Sequence, residues 1–181
     1  MSAINTKEAY VLKLDDLKKA TGIKNSMALP KINKVSVNVG LGQGRLDKDM
    51  VEYIAQSLAL ITGQKAVPTR AKKAIAGFKI RENDVIGYRV TLRNDKMNDF
   101  IDRLLNISLP RIREFKGINP KQFDKQGNLT IGLRDQISFA ELGNDDIDKS
   151  FGMTITLTIK NSDPQKSLAL LKTLGFPMKT K

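Results

Sequence analysis

The sequence predicts an α+β fold: a single domain with a largely antiparallel sheet and helices packed on one of its faces. Four segments alternate between apolar residues and polar residues or glycine, which is typical of strands with one buried and one exposed face. The segments between them carry apolar residues at helical spacing, with residues at their ends that begin and end helices. No repeat and no linker rich in Pro, Gly or Ser divides the 181 residues, so we expect one domain over 1–181.

The first part of the chain is predicted to hold two helices and two strands. Gly22 and Gly63 are suitable residues for ending a helix, and Asp47 is a suitable cap for beginning one. Pro68 has no backbone N–H to donate to a neighbouring strand, so its strand is expected to be an edge strand or an irregular one. The predicted elements are a helix over roughly 4–20, a strand over 34–39, a glycine loop over 40–44, a helix between Asp47 and Gly63, and a strand over 66–70.

The second part is predicted to alternate between strands and helices after a long basic loop over about 71–83. Asn94 or Asp95 is expected to cap a helix that Leu109-Pro110 breaks, because proline disfavours a helical residue before it. Pro164 after Asp163 indicates the start of the last helix. The remaining elements are strands over 88–92, 129–133 and 153–160, a helix with the apolar face Met97, Phe100, Ile101, Leu104 and Leu105, an irregular segment over 111–125, and a last helix that buries Leu168, Leu171 and Leu174 and ends at Gly175.

The composition indicates an anionic partner and excludes several kinds of chemistry. There are 31 Lys and Arg against 19 Asp and Glu, a net charge of +12, which favours nucleic acid first and a membrane surface second. The chain has no Cys and no His, which removes disulfides, thiolate nucleophiles, the usual general base and most metal sites. We therefore expect a protein that is not an enzyme and uses no metal or cofactor. No apolar run approaches the roughly 18 residues of a membrane span, so a cytoplasmic protein without a membrane partner is expected.

A glycine loop after the first strand invites comparison with nucleotide-binding motifs. Its spacing over 40–44 is G-x-G-x-G rather than G-x-G-x-x-G, and no Lys-Ser or Lys-Thr pair follows it. No acidic residue lies between Glu52 and Glu82, although a dinucleotide site would need one about 20 positions after the glycines. A tight turn is the favoured interpretation, and a nucleotide-dependent enzyme is the alternative.

The same acid-free window is rich in cations, with the apolar residues Ile75 and Phe78 interleaved among them. Neutralisation of phosphates by Lys and Arg, together with a stacking or wedging aromatic ring, is typical of contact with RNA. A solvated, mobile loop is the alternative interpretation. The cations of the window are Lys65, Arg70, Lys72, Lys73, Lys79 and Arg81.

The alternating strands also predict a polar sheet face open to RNA, on the side opposite their Val, Leu and Ile residues. Hydroxyl, amide and guanidinium groups can bond phosphates and 2′-hydroxyls, and a face without exposed aromatic rings is expected to read shape and backbone rather than to stack bases. The alternative is a face that only meets water, where Thr is a common residue. The residues of this face are Lys34, Ser36, Asn38, Arg89, Thr91, Arg93, Thr154, Thr156 and Thr158.

Motifs along nearly the whole chain resemble, in order, those of the bacterial-type large-subunit ribosomal protein five family. The first-strand motif is LPKINKV at 29–35, followed by VNVGLG at 37–42. A central block contains TGQK at 62–65, TRAKK at 69–73 and IAGFKIR at 75–81. The later matches are IG at 86–87, VTLR at 90–93, LPRIR at 109–113, FD at 123–124 and GN at 127–128.

The resemblance implies a structural component of the large ribosomal subunit with an antiparallel sheet and helices on one side. It implies binding to 5S rRNA and attachment to large-subunit rRNA in the central protuberance, contact with the P-site tRNA, and an intersubunit bridge with a protein of the small-subunit head. Asn38, Gln64 and Thr91 match positions that bond 5S rRNA, and Lys72–Arg81 matches a loop aimed at tRNA. A free-standing regulatory RNA-binding protein is the remaining alternative. The residues predicted to bind 5S rRNA are Lys34, Ser36, Asn38, Gln64, Arg89, Thr91 and Arg93, and those predicted to contact tRNA are Lys72, Lys73, Phe78, Lys79 and Arg81.

Overall fold

A computed structural model describes residues 6–42, 47–112, 115–142 and 149–179. The predicted start of the leading helix at residue 4 and the end of the glycine loop at 43–44 lie outside these ranges. The helices are α1 (Thr6–Leu12), α2 (Leu14–Thr21), α3 (Lys48–Thr62), α4 (Asn94–Arg103), α5 (Leu109–Arg111) and α6 (Pro164–Leu174). The strands are β1 (Lys31–Gly40), β2 (Val67–Arg70), β3 (Val85–Leu92), β4 (Leu129–Leu133) and β5 (Met153–Lys160).

The strands form one 5-stranded sheet in the order β2-β3-β1-β5-β4, and every neighbouring pair is antiparallel. The predicted fold class is therefore confirmed. The central strand β1 pairs with β3 on one side and β5 on the other. β2 contains Pro68 and lies at an edge of the sheet, as its missing N–H predicted.

The helices pack against one side of the sheet. Buried strand residues alternate with exposed or half-exposed ones, most regularly along β4 and β5. Ile54 and Leu58 of α3 and Phe100 of α4 belong to the same hydrophobic cluster as the buried residues of all the strands except β2. Because apolar burial is the main favourable contribution to folding, this cluster fixes which side of each strand turns inward. The opposite side of the sheet carries the exposed residues.

Helix ends follow the residues expected to cap them. The Asp47 side chain accepts hydrogen bonds from the backbone N–H groups of Asp49 at 2.9 Å and Met50 at 3.4 Å. The Asp163 side chain accepts one from the backbone N–H of Lys166 at 2.9 Å. Gly63 ends α3 with a φ of 64°, in the left-handed region that glycine adopts without a steric penalty.

The prediction of one continuous leading helix is wrong. The chain turns at Lys13 between α1 and α2. The Lys13 ammonium donates a hydrogen bond to the Thr173 carbonyl of α6 at 2.8 Å, so a tertiary contact holds the break in place. α1 consequently packs against both α4 and α6.

The predicted helix break at Leu109-Pro110 is also wrong. α4 continues through a π-turn over Leu104–Ser108 into α5, which contains Pro110. In a regular helix the proline ring would clash with the carbonyl four residues earlier. Here the Leu109 N–H bonds to the Leu104 carbonyl, five residues back, so the helix is already widened where the proline enters.

Two predictions about side chains in the helices need correction. Neither Asn94 nor Asp95 is the cap of α4: Arg93 holds that position, and Asn94 is the first residue of the helix, with a φ of 52° that lies outside the extended region of a cap. In α6 the buried stripe consists of Ser167, Leu170 and Leu171, while Leu168 and Leu174 are half-buried. The Ser167 hydroxyl donates to the Gly127 carbonyl, so the face of α6 that is buried includes Ser167 and differs from the predicted one.

Two glycines on the sheet give a matched test of how closely the strands pack. A Cβ added at Gly87 of β3 would lie 2.5 Å from the Val39 carbonyl oxygen of β1, whereas one added at Gly132 of β4 would meet no heavy atom within 4 Å. We expect Gly87→Ala to lower the free energy of unfolding by about 1–3 kcal/mol, the range for overpacking. Gly132→Ala should stay within about 0.5 kcal/mol or stabilise slightly. Urea denaturation checks both, and equal effects would contradict the close approach of β3 to β1.

Candidate nucleic-acid interface

A row of polar side chains crosses the exposed face of the sheet. The strand register places Asn38 of β1 opposite Arg89 of β3 and opposite Thr154 of β5. All three residues are exposed. We call this set the arginine row. It brings together an amide, a guanidinium and a hydroxyl from three neighbouring strands, all on the outward face that the alternation in the sequence predicted.

The neighbouring row consists of hydroxyl side chains. Ser36 lies opposite both Thr91 and Thr156, and Thr156 lies opposite Thr130. We call these four residues the hydroxyl row. The Oγ1 atoms of Thr130 and Thr156 are 3.3 Å apart, within hydrogen-bond distance. Thr130 is absent from the residues predicted for this face, although the alternation of β4 is the signal that would have placed it there.

Cations lie beyond the hydroxyl row on the side away from the arginine row. Lys34 is half-buried and opposite Thr158. Arg93 follows Leu92, which pairs with Val35, and its backbone is extended, so Arg93 continues the register opposite Lys34. The structure thus brings all the predicted sheet-face residues onto one surface. The hydroxyl row lies between cations on both sides.

Gln64 is placed beside this surface by the end of α3. The left-handed turn at Gly63 reverses the chain, and the Gln64 backbone N–H donates to the Thr62 hydroxyl at 3.3 Å. The Gln64 side-chain Nε2 then donates to the Thr91 carbonyl at 3.3 Å. Gln64 and Thr91, each predicted to bind 5S rRNA, are therefore in contact, although they are distant in the sequence.

The cations of the sheet face take no part in the ion pairs found within the described ranges. Those pairs are Lys18 with Asp15, Arg103 with Glu141 and Lys166 with Asp163. The guanidinium groups of Arg89 and Arg93 belong to none of them and are on exposed residues. Their charge is available to an anionic partner, for which Arg has a planar fork of donors.

The basic segment between β2 and β3 is more ordered than the predicted loop. The Ala71 N–H donates to the Asp84 carbonyl at 2.9 Å and closes the base of the segment. Ile75 and Ile80 exchange two backbone hydrogen bonds of 2.9 and 3.1 Å, as in a small hairpin. Within that hairpin lies a short 3₁₀ turn. We call residues 71–84 the basic hairpin.

The side chains of the basic hairpin point to solvent at its tip. Every residue from Lys72 to Lys79 is exposed. The exposed fraction of Phe78 is 68%, which excludes the possibility that its ring folds back into the hydrophobic core. Arg81 is also exposed. Lysines and one aromatic ring therefore project together from the edge of the sheet.

The described ranges offer no competing centre for metal chemistry. They contain no group of three or more acidic side chains arranged to hold a metal ion. No described helix has the length and apolar character needed to cross a membrane.

A basic α+β protein with an exposed polar sheet face has the architecture expected of nucleic-acid-binding proteins that use a sheet as a platform. Comparison with known families is more specific. Residues 25–81 match the model described as ribosomal protein L5, and residues 85–178 match the model that describes the C-terminus of the same ribosomal family. The chain belongs to the ribosomal protein L5 family.

Individual relatives agree with this assignment. The chain is 46% identical over 166 residues to the large ribosomal subunit protein uL5 of Colwellia psychrerythraea, covering 92% of each chain. It is 50% identical over 161 residues to the uL5 protein of Prochlorococcus marinus strain MIT 9515, covering 89% of this chain and 90% of the relative. The corresponding protein of Nitrosococcus oceani is 45% identical over 167 residues, with 92% of each chain covered.

Family membership fixes the general role of the protein. It is a structural component of the large ribosomal subunit, and RNA binding and a part in translation follow from the family. The prediction that it is not an enzyme is confirmed by the same relatives, and the nucleotide-dependent alternative is excluded. The segments that match the two family models, 25–81 and 85–178, meet at the end of the basic hairpin. Both segments contribute strands to the single sheet.

Proposed function

We propose that this protein binds 5S rRNA through the exposed sheet face and attaches it to large-subunit rRNA in the central protuberance. In the same proposal the basic hairpin contacts the P-site tRNA, and the protein joins an intersubunit bridge with a protein of the small-subunit head. The single observation that carries the proposal is the uncovered sheet face, where the arginine and hydroxyl rows and Gln64 lie together. The motif resemblance supports the identity of each partner.

The chemistry of the sheet face suits a folded RNA better than an unstacked single strand. Its two rows contain hydroxyl, amide and guanidinium groups and no aromatic ring among the residues described there. Sequence-specific binding of splayed bases relies on aromatic stacking, whereas helical RNA is read through shape, phosphates and 2′-hydroxyls. A compact, base-paired rRNA is therefore the partner that this surface fits.

The basic hairpin supports a second contact because it projects away from the core. Its cations have no acidic neighbours in the sequence between Glu52 and Glu82. Lys72, Lys73 and Lys79 are exposed in the same hairpin as the exposed ring of Phe78. An exposed ring of this size is costly in water, and cations in the same hairpin favour a phosphate backbone as the surface that covers it. The bridge to the small-subunit head rests on the motif resemblance.

Binding to 5S rRNA is expected to be strongly dependent on salt. If about six phosphates are neutralised, log affinity should fall against log salt concentration with a slope of roughly −4 to −5. Filter binding of a 5S rRNA transcript over a range of KCl concentrations measures the slope, with tRNA as competitor to show specificity. A slope near zero would remove the electrostatic part of the proposal.

Removing single groups from the sheet face should weaken RNA binding without unfolding the protein. Asn38 and Thr91 are exposed, so Asn38→Ala and Thr91→Ala should change the free energy of unfolding by no more than about 0.5 kcal/mol. Each should weaken 5S rRNA binding by about 1–3 kcal/mol, the cost of leaving a partner unpaired. Asn106→Ala, at an exposed asparagine of the π-turn, is the matched control. Unchanged affinity in both sheet variants would exclude this face as the binding site.

The basic hairpin should matter for tRNA and not for 5S rRNA. A variant with Lys72, Lys73 and Lys79 replaced by Ala should unfold within about 0.5 kcal/mol of the parent, since all three are exposed. It should retain most 5S rRNA affinity and reduce protection of the P-site tRNA backbone in chemical footprinting of assembled ribosomes. The charge-matched control replaces the exposed Lys19, Lys24 and Lys172. Identical footprints for the variant and the parent would show that the hairpin is only a solvated loop.

A further inference from the structure

The hydroxyl row continues unbroken across four neighbouring strands. The register pairs Thr91 with Ser36, Ser36 with Thr156, and Thr156 with Thr130, on β3, β1, β5 and β4 in turn. Since neighbouring strands are about 4.8 Å apart, the row spans roughly 14 Å. The residues predicted from the sequence to bind 5S rRNA cover only the β1 and β3 half of this row.

Hydroxyl groups have a binding property that the cations of this face lack. Each can donate one hydrogen bond and accept others, and its hydrogen rotates to suit the partner. The Oγ1 atoms of Thr130 and Thr156 are 3.3 Å apart, so one hydroxyl can donate to the other and still present a lone pair or a proton outward. A row of this kind fits a ligand that carries hydroxyl groups rather than a purely anionic one.

The flanking rows fit the other component of an RNA strand. Arg89 and Asn38 lie on one side of the hydroxyl row, and Lys34 with Arg93 on the other. Cations and amides bind phosphate oxygens, whereas hydroxyl groups can exchange hydrogen bonds with ribose. The face therefore offers groups suited to both components of an RNA backbone.

The end of the row on β4 is open to a partner. Thr130 is exposed, and the next outward residue of β4 is Gly132. No heavy atom lies within 4 Å of the Cβ position at Gly132, so the outward side of β4 is open at the residue next to Thr130 on this face.

We infer that the hydroxyl row reads ribose 2′-hydroxyls along its whole length, with Thr130 of β4 and Thr156 of β5 contributing as well as Ser36 and Thr91. The inference rests on the proposed binding of 5S rRNA to this face. The 2′-hydroxyl is both donor and acceptor and is the group by which a protein tells RNA from DNA.

The test uses the full chain with Thr130→Val and Thr156→Val combined, which removes two hydroxyls and keeps β-branched side chains at outward positions. The probe is a pool of 5S rRNA transcripts with 2′-deoxynucleotides at random positions. The positions of the 2′-deoxynucleotides are then compared between the bound and unbound RNA, and a position depleted from the bound RNA is one where the substitution interferes with binding. The control is Thr21→Val on α2, at the helical side of the molecule. Urea denaturation of each variant establishes that it is folded.

The parent and the control should share a set of interfering 2′-deoxy positions. The double variant should bind unsubstituted 5S rRNA about tenfold more weakly, as expected for two lost neutral hydrogen bonds. At some of those positions a 2′-deoxy substitution should no longer lower the affinity of the double variant, because the hydrogen bond that the substitution removes is already absent.

Two results would overturn the inference. One is an interference pattern in the double variant that is identical to the parent's. The other is weaker binding with every interfering position retained, which would assign the hydroxyls to phosphates or bases. Failure of the parent itself to bind 5S rRNA would instead refute the proposed function, so the two failures are distinguishable.

Discussion

Burial of Val35, Val37 and Val39 on the central strand is the constraint on which the rest of the molecule depends. Side chains alternate along a strand, so burying these three turns Ser36 and Asn38 to the opposite face. β1 pairs with β3 on one side and β5 on the other. The register places the outward residues of both neighbours beside the outward residues of β1. A slip of one residue would expose the core and bury the polar face at once. The packing that stabilises the fold is thus the same packing that presents the polar side chains of the sheet face.

Features set by neighbours in the sequence were predictable. Asp47 caps α3, Gly63 ends it, and Pro68 marks an edge strand, because each depends on the backbone chemistry of one or two residues. Predictions failed where a distant contact decides the outcome. The break in the leading helix at Lys13 comes with a hydrogen bond to Thr173, and the inward face of α6 places Ser167 against Gly127; neither partner is visible from local spacing.

In the candidate site, too, features set by local sequence were predictable and features set by distant contacts were not. Alternation alone indicated which residues face outward, so the members of the arginine row could be listed before their positions were known. Their arrangement could not, because the pairing of Ser36 with Thr91 and Thr156 joins segments far apart in the chain. The contact between Gln64 and Thr91 likewise depends on how α3 ends against β3. Motif resemblance grouped Gln64 with Thr91, while the structure shows the hydrogen bond between them and adds Thr130 to the surface.

The edge strand β2 has a consequence for the protein before it meets its RNA. An open sheet edge is a template on which a second copy of a chain can add a strand and begin to aggregate. β2 offers a poor template: it has four residues, Pro68 lacks a donor, and the pairing with β3 shifts between Thr69 and Arg70. The basic hairpin that follows adds like charges, which repel another copy of the same chain. The proline and the cations at this edge therefore also disfavour the addition of a strand from a second copy of the chain before the protein is assembled into the subunit.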